Sequence, residues 1–283
     1  MLTLKNNISN TLKTEAKRLH LLAFFVFLFG ASSGQICAVE DFPFKGGEQI
    51  NYDAFYNLKS IWVAAGKVRF TVSDTIYKGE KCFHFDGKGK SLKSYDWFFK
   101  VRDHYASIAS KENLTPRRFV RKVNEGGFKI FYDYHFNKNE IAKVYQSRTD
   151  TSNQSLIKVP KCAFDVMTAV YYARTLDFSG LAIGDTIPIS FMIDKQIYDV
   201  HIRYTGKQIV KTLDKKKYNC IKFRPMLIEG TLFDEGEFME VFVTDDKNRI
   251  PIYIEAEIIV GKVKAYITSM KNVQYPLTSR IKP

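Results

Sequence analysis

No run of twenty apolar residues occurs anywhere in the 283-residue sequence, which argues against a membrane-spanning helix, since one needs ~20. Histidine is scarce, with five copies. His84, His104, His135 and His201 are not spaced from one another as zinc ligands are, and there is no HExxH. A phosphate-cradling glycine loop is missing as well. The one match to a serine-hydrolase elbow, Gly30-Ala31-Ser32-Ser33-Gly34, lies in an N-terminal leader and lacks the strand and helix such an elbow needs. Thr244-Asp245-Asp246-Lys247-Asn248 offers oxygen ligands but lacks the glycine and terminal acid of a calcium loop, so it reads as a hairpin turn. The residues therefore point to no catalytic set, no metal and no cofactor.

Negative charge is also in deficit: 43 Lys and Arg face 30 Asp and Glu, for a net +13. Such an excess attracts anionic lipid headgroups, polysaccharides or nucleic acid. The basic residues are spread through strand-like segments, as in Lys67, Arg69, Lys78, Lys81, Lys88 and Lys90, with no Arg-rich tail. That distribution reads as a solvated face and gives no reason to expect nucleic acid. Lys5, Lys13, Lys17 and Arg18 precede the short apolar core Leu21 to Phe29 (LLAFFVFLF), and small residues follow. This is the layout of a secretory signal over residues 1–38, cleaved after Ser33 or after Ala38. Cys37 is preceded by Gly34-Gln35-Ile36, a poor lipobox. The mature chain, 39–283, is accordingly expected in the periplasm or bound to the cell envelope.

What the mature chain has in quantity is aromatic and β-branched residues arranged with period two. In GKVRFTVSD, Val68, Phe70 and Val72 share one face. Lys78-Gly79-Glu80 and Asn124-Glu125-Gly126-Gly127 are hairpin turns. Strands follow one another over 48–146, a polar loop covers Ser147 to Ser155, and a second strand set covers 186–272. One compact helix interrupts them at KCAFDVMTAVYYAR, residues 161–174. With no alternating βαβ units, the expected fold is mainly β: an antiparallel barrel, half-barrel or two curved sheets, with one buried or plugging helix near 164–176. On a 100° wheel Val166, Val170, Ala173, Met167, Tyr171 and Phe164 form the apolar face, and Asp165, Thr168 and Tyr172 a polar stripe.

Two segments could carry a ligand. In Tyr95-Asp96-Trp97-Phe98-Phe99-Lys100-Val101-Arg102-Asp103, Trp97 and Phe98 suit an apolar pocket with Arg102 as polar anchor, or else a core corner held by an Arg–Asp pair. On the helix, Met167, Tyr171 and Arg174 either line the same cavity or fill the core, with Arg174 favoured by the helix C-terminus. Without Cys37 three cysteines remain, Cys82, Cys162 and Cys220. They allow one disulfide, for which Cys162 and Cys220 are the expected pair, or three buried thiols.

The blocks IWVAAGKVRF, SYDWFFKVRDHY, VNEGGFKIFYDYHF, CAFDVMTAVYYAR, IRYTGKQIVKT and VTDDKNRIPIYIEAEIIVGKVKAYIT, in that order, resemble the bacterial family called domain of unknown function 3108. The resemblance spans nearly all of the mature chain. It implies an exported β-rich protein with no accepted activity, so no catalytic residue carries over; Cys162 and Cys220 fit its pattern as a pair. The leading expectation is a non-enzymatic envelope protein holding an apolar or amphipathic, lipid-like ligand in a curved sheet. The alternative is a structural or assembly factor that docks another envelope protein through an exposed strand edge. A third, an enzyme on envelope polymers, has only Asp96, Asp103 and Asp165 as candidate acids.

Overall fold

The computed structural model describes residues 39, 41–58, 61–97, 99–137, 140–148, 151–228, 236, 239–258 and 261–282. The signal-like segment, Cys37 and Phe98 lie outside the described residues. Strands β1 (Gln49–Leu58), β2 (Ile61–Tyr77), β3 (Glu80–Ser91), β4 (Arg102–Ser110), β5 (Pro116–Glu125), β6 (Phe128–Phe136), β7 (Ile141–Arg148) and β8 (Thr151–Lys158) form a meander. After it come β9 (Ala163–Asp165), helix α1 (Val166–Ala173), β10 (Thr186–Ile193), β11 (Gln196–Lys211), β12 (Lys217–Pro225), β13 (Met239–Thr244), β14 (Pro251–Glu257), β15 (Lys262–Lys271) and β16 (Arg280–Ile281).

All of them belong to one curved sheet, ordered 8-7-6-5-4-3-2-1-15-14-13-12-11-10-9, with β16 on β12. The two strand sets of the sequence are thus one sheet, joined where β1 pairs antiparallel with β15. Its two edges, β8 and β9, do not pair with each other, so the sheet is not a closed barrel. Instead the β10–β11 turn meets the inner face of β5 and β6: Arg121 bonds Asp194, and Lys195 N donates to the Tyr134 hydroxyl at 3.3 Å.

Alternation decides what fills the interior. Phe83 and Phe85 of β3, Phe119 of β5, Tyr132 and Tyr134 of β6 join Met192, Ile202, Phe223 and Val243 from the late strands in one core cluster. Helix α1 lies in that cluster, and glycine makes its approach possible. A Cβ on Gly87 would meet both the Met167 thioether and the Phe70 ring at 3.1 Å. The β5–β6 turn uses glycine for another reason: Gly126 and Gly127 have φ of 55° and 95°, the left-handed pair a tight hairpin needs.

Two expected elements differ in extent. Ser147 to Ser155 is no loop, because β7 and β8 pair in register from Arg148↔Thr151 to Ile141↔Lys158. An edge strand with water on both sides has no apolar alternation to betray it, and β8 is exposed at most positions. The helix is also shorter than the segment 161–174. Cys162 has φ of 66°, and 163–165 form β9, the only parallel partner among the described strands, alongside β10. Asp165 then caps α1 by accepting from Thr168 N.

The buried face of α1 is rotated from the expected one. Met167, Thr168, Tyr171 and Tyr172 are buried while Val170 is 40% exposed. The polar stripe goes inward because a partner waits there: Ser107 Oγ donates to Asp165 Oδ2 at 2.6 Å and lies 2.9 Å from Thr168 Oγ1. No helix among the described residues is long and apolar enough to cross a membrane.

Candidate functional site

The interior expected to hold a ligand is packed with side chains around α1. Tyr171 stacks on Phe85 at 4.0 Å between ring centroids and meets Phe44 edge-on at 5.1 Å. Arg174 is 3% exposed and pairs with Glu48, which is 1% exposed. Its Nη1 donates to Glu48 Oε1 at 2.6 Å and its Nη2 to Oε2 at 3.0 Å. Nε and Nη2 also donate to the Asn248 carbonyl at 3.2 and 3.0 Å, and Nη2 to the Pro43 carbonyl at 3.0 Å. Burial works to lower the guanidinium pKa, but the Glu48 carboxylate more than offsets this and holds it above its ordinary value.

Asp165, fully buried, titrates near 6 because burial penalises its charge more than its hydrogen bonds to Ser107 and Thr168 favour it. A second acid group lies on the inner face where β4 begins and β5 ends. Asp103 accepts from Asn124 N at 3.1 Å and shares a hydrogen bond with Glu125. Burial, then that bond, push Glu125 up to about 7. Arg121 stands beside them, donating to the Tyr105 hydroxyl at 3.2 Å. The arrangement holds a proton between two carboxyls, but no nucleophile or second catalytic group converges on it among the described contacts. Asp96, the remaining candidate acid, is consumed by Arg102.

The expected Cys162–Cys220 disulfide does not form. Cys82 and Cys220 are both free and buried, while Cys162 is disulfide-bonded. Cys220 sits on β12, three strands from β9 in the sheet order. At ~4.8 Å per strand that is about 14 Å, twice the reach of a disulfide. Burial raises the Cys82 thiol and pushes Cys220 up to about 12, so neither is a nucleophile at neutral pH.

The outer face of the early strands is different. Phe83, Phe85 and Gly87 face the core, so their neighbours Lys88 and Lys90 point away from it. Cross-strand register then aligns Asn51, Arg69, Lys88, His104 and Lys122 in one row across β1 to β5. A second row runs Asp53, Lys67, Lys90, Arg102 across β1 to β4. These side chains line a groove of about 670 Å³. Lys67 is paired with Asp53 at 2.8 Å, Lys88 with Asp86 at 2.9 Å, His104 with Asp86 at 2.5 Å and Arg102 with Asp96 at 2.5 Å. Among the described residues, Arg69 bonds the Asn51 side-chain oxygen at 3.1 Å and has no ion pair, and neither do Lys90 and Lys122. A larger cleft, about 960 Å³, lies at the other end of the strands, but Arg117–Glu80, Lys78, Glu112 and Glu140 give it both signs of charge.

Of the residues expected from sequence to bind a ligand, only Arg102 lines this groove, beside the candidate acid Asp103. Trp97 stands 83% exposed on the β3–β4 connection, and Phe98 is outside the described residues. Met167, Tyr171 and Arg174 are neighbours in the core, and the structure does not bring them together with Trp97 or Arg102. From sequence, Lys67, Arg69, Lys88 and Lys90 read as a solvated face, and Lys122 is not singled out. The signal was present, since counting back equally from the Lys78-Gly79 turn places Arg69 opposite Lys88 and Lys67 opposite Lys90.

The fold and site define a β-barrel-like protein, an open curved sheet around a packed helix, with a cationic groove on its outside. The chain belongs to the family described as "Protein of unknown function (DUF3108)", whose model matches residues 51–268. Among solved structures it is similar to a β-barrel-like protein of domain of unknown function DUF1849 from Brucella abortus. The TM-score is 0.52 at 9% identity, over 79% of this chain and 96% of that one, a likeness of fold alone. Comparison with curated proteins returns no relative.

Proposed function

We propose that this is an exported, non-enzymatic envelope protein that binds the anionic head of an amphipathic, lipid-like ligand in the groove across β1 to β5. The observation that carries the reading is the alignment of like charges in register. Cations directly opposite one another on a sheet repel, and here Arg69 faces Lys88 and Lys67 faces Lys90. Asp53 and Asp86 answer only part of that charge. A bound phosphate or carboxylate group relieves the repulsion and gains charge-assisted hydrogen bonds from several sides. The packing of the core around α1 supports a ligand on the outside of the sheet in this reading.

Titration of short-chain phosphatidylglycerol, kept below its micelle concentration, tests this by calorimetry. The wild-type protein should bind it and ignore the zwitterionic choline analogue, and Lys88→Glu with Lys122→Glu should weaken binding at least tenfold. Equal binding of both lipids, or no effect of the reversals, would sink the reading. Docking of another envelope protein remains the second reading, and β8 favours it: eight residues at a sheet edge, paired on one side only, whose one charged residue is Lys158.

A further inference from the structure

Among the described residues, exposed tryptophan and phenylalanine side chains gather toward one end of the strands. Because the strands are antiparallel, the β1–β2, β3–β4 and β5–β6 connections lie together at one end, and the β2–β3, β4–β5 and β6–β7 connections at the other. Trp62 (37% exposed), Trp97 (83%), Phe99 (46%) and Phe128 (47%) all sit on the first set of tips. Phe131, the remaining exposed Trp or Phe among the described residues, lies one turn of chain inward on β6. The opposite end has exposed aliphatic residues such as Ile76 and Ile141, but no exposed Trp or Phe among the described residues.

These tips are tied into one unit. Leu92 N donates to the Ala65 carbonyl at 2.9 Å, linking the β3–β4 connection to β2. Gly126 N donates to the Lys100 carbonyl at 2.9 Å, and Val101 bridges to Glu125, linking it to the β5–β6 hairpin. The Phe99 ring lies so close over Gly126 that a Cβ there would come within 2.5 Å of it. Lys93, Lys100 and Lys129 are exposed around the patch, and none has an ion pair among the described residues. The acids nearby are engaged: Asp96 with Arg102, Glu125 with Asp103, Glu257 with Lys262.

We propose that this end of the sheet docks onto an anionic lipid bilayer, with the aromatic tips entering the interface and Lys93, Lys100 and Lys129 at the headgroups. Tryptophan and phenylalanine on preorganised tips gain by leaving water for the interface, and a lysine rim selects negative lipid. An apolar patch of this kind on a soluble surface marks an interaction site; the unpaired lysines choose a negatively charged bilayer as the occupant. The inference does not depend on the groove, whose residues are different.

The sequence supplies its own reporter, since both of its tryptophans, Trp62 and Trp97, are in the patch. Mature protein is mixed with vesicles of phosphatidylglycerol and phosphatidylethanolamine, or of phosphatidylcholine alone, and followed by tryptophan emission and co-sedimentation. The expected result is a blue shift and sedimentation with the anionic vesicles only. Trp97→Ser with Phe128→Ser, checked for native circular dichroism, should need at least tenfold more lipid. Lys88→Glu with Lys122→Glu should keep the blue shift while losing the short-chain lipid, which separates this inference from the groove reading. Three outcomes overturn it: unchanged sedimentation of the tip variant, loss of vesicle binding in the groove variant alone, or no vesicle binding but a concentration-dependent dimer abolished by the tip substitutions.

Discussion

Arg174 enters the core with its Nε, Nη1 and Nη2 all engaged by Glu48, Asn248 and Pro43, so no donor is turned toward a ligand. Removing one member of such a pair strands the other charge in the interior. Arg174→Ala should therefore destabilise the fold by about 3–5 kcal/mol, read as a lower urea midpoint, whereas Arg174→Met with Glu48→Leu should recover much of the loss. Asp165 makes a pH prediction. Its folded pKa, about 6, lies above the ordinary 3.8, so folding favours the protonated acid. The stability this contributes is whole below the ordinary value and is lost as pH rises through 6. Asp165→Asn should gain on the wild type by about 2 kcal/mol between pH 4 and pH 7, measured by unfolding at both. For the thiols, Ellman's reagent should find none reactive in the native protein and two, Cys82 and Cys220, after denaturation without reduction.

At the scale of elements, α1 is short. An isolated helix of eight residues is not stable in water, so its position depends on the Asp165 cap and on the space left by Gly87. Gly87→Val puts a branched side chain where Met167 and Phe70 already stand 3.1 Å from a Cβ. A loss of about 1–3 kcal/mol is expected from such overpacking, and thermal unfolding would register it; an unchanged midpoint would mean that the helix is free to shift. The rows of cations belong to this scale too, because no single lysine makes the groove. Only the pairing of β1 through β5 collects them.

For the whole molecule, the sheet curls until its late strands meet the inside of its early ones, and the interior is closed by side chains. The surfaces proposed for recognition, the outer groove, the aromatic end and the β8 edge, therefore all lie on the outside. Groove binding rests on charge that ions screen over ~10 Å at 0.1 M salt. Affinity for short-chain phosphatidylglycerol should therefore fall steeply as salt is raised, whereas vesicle docking, part of which is apolar, should fall less. Parallel titrations at two salt concentrations check both, and equal salt dependence would contradict the division of labour between the two surfaces.

By itself the sequence determined the β-rich class, the main hairpins and the presence of one helix, because period-two alternation and turn glycines are local properties that each segment carries whatever its neighbours do. It also carried the opposition of Arg69 to Lys88, through the symmetry of one hairpin. Tertiary structure alone decided that Asp165 and Thr168 face inward, since their partner Ser107 is 58 and 61 residues away in the chain. It decided that Arg174 is satisfied by Glu48, 126 residues distant, and that Cys220 is three strands away from β9. It decided that β8 is a strand, because an edge exposed on both faces carries no apolar pattern. The physical reason is the same in each case: burial and pairing across the sheet depend on which distant strands become neighbours, and alternation within a segment does not encode that choice.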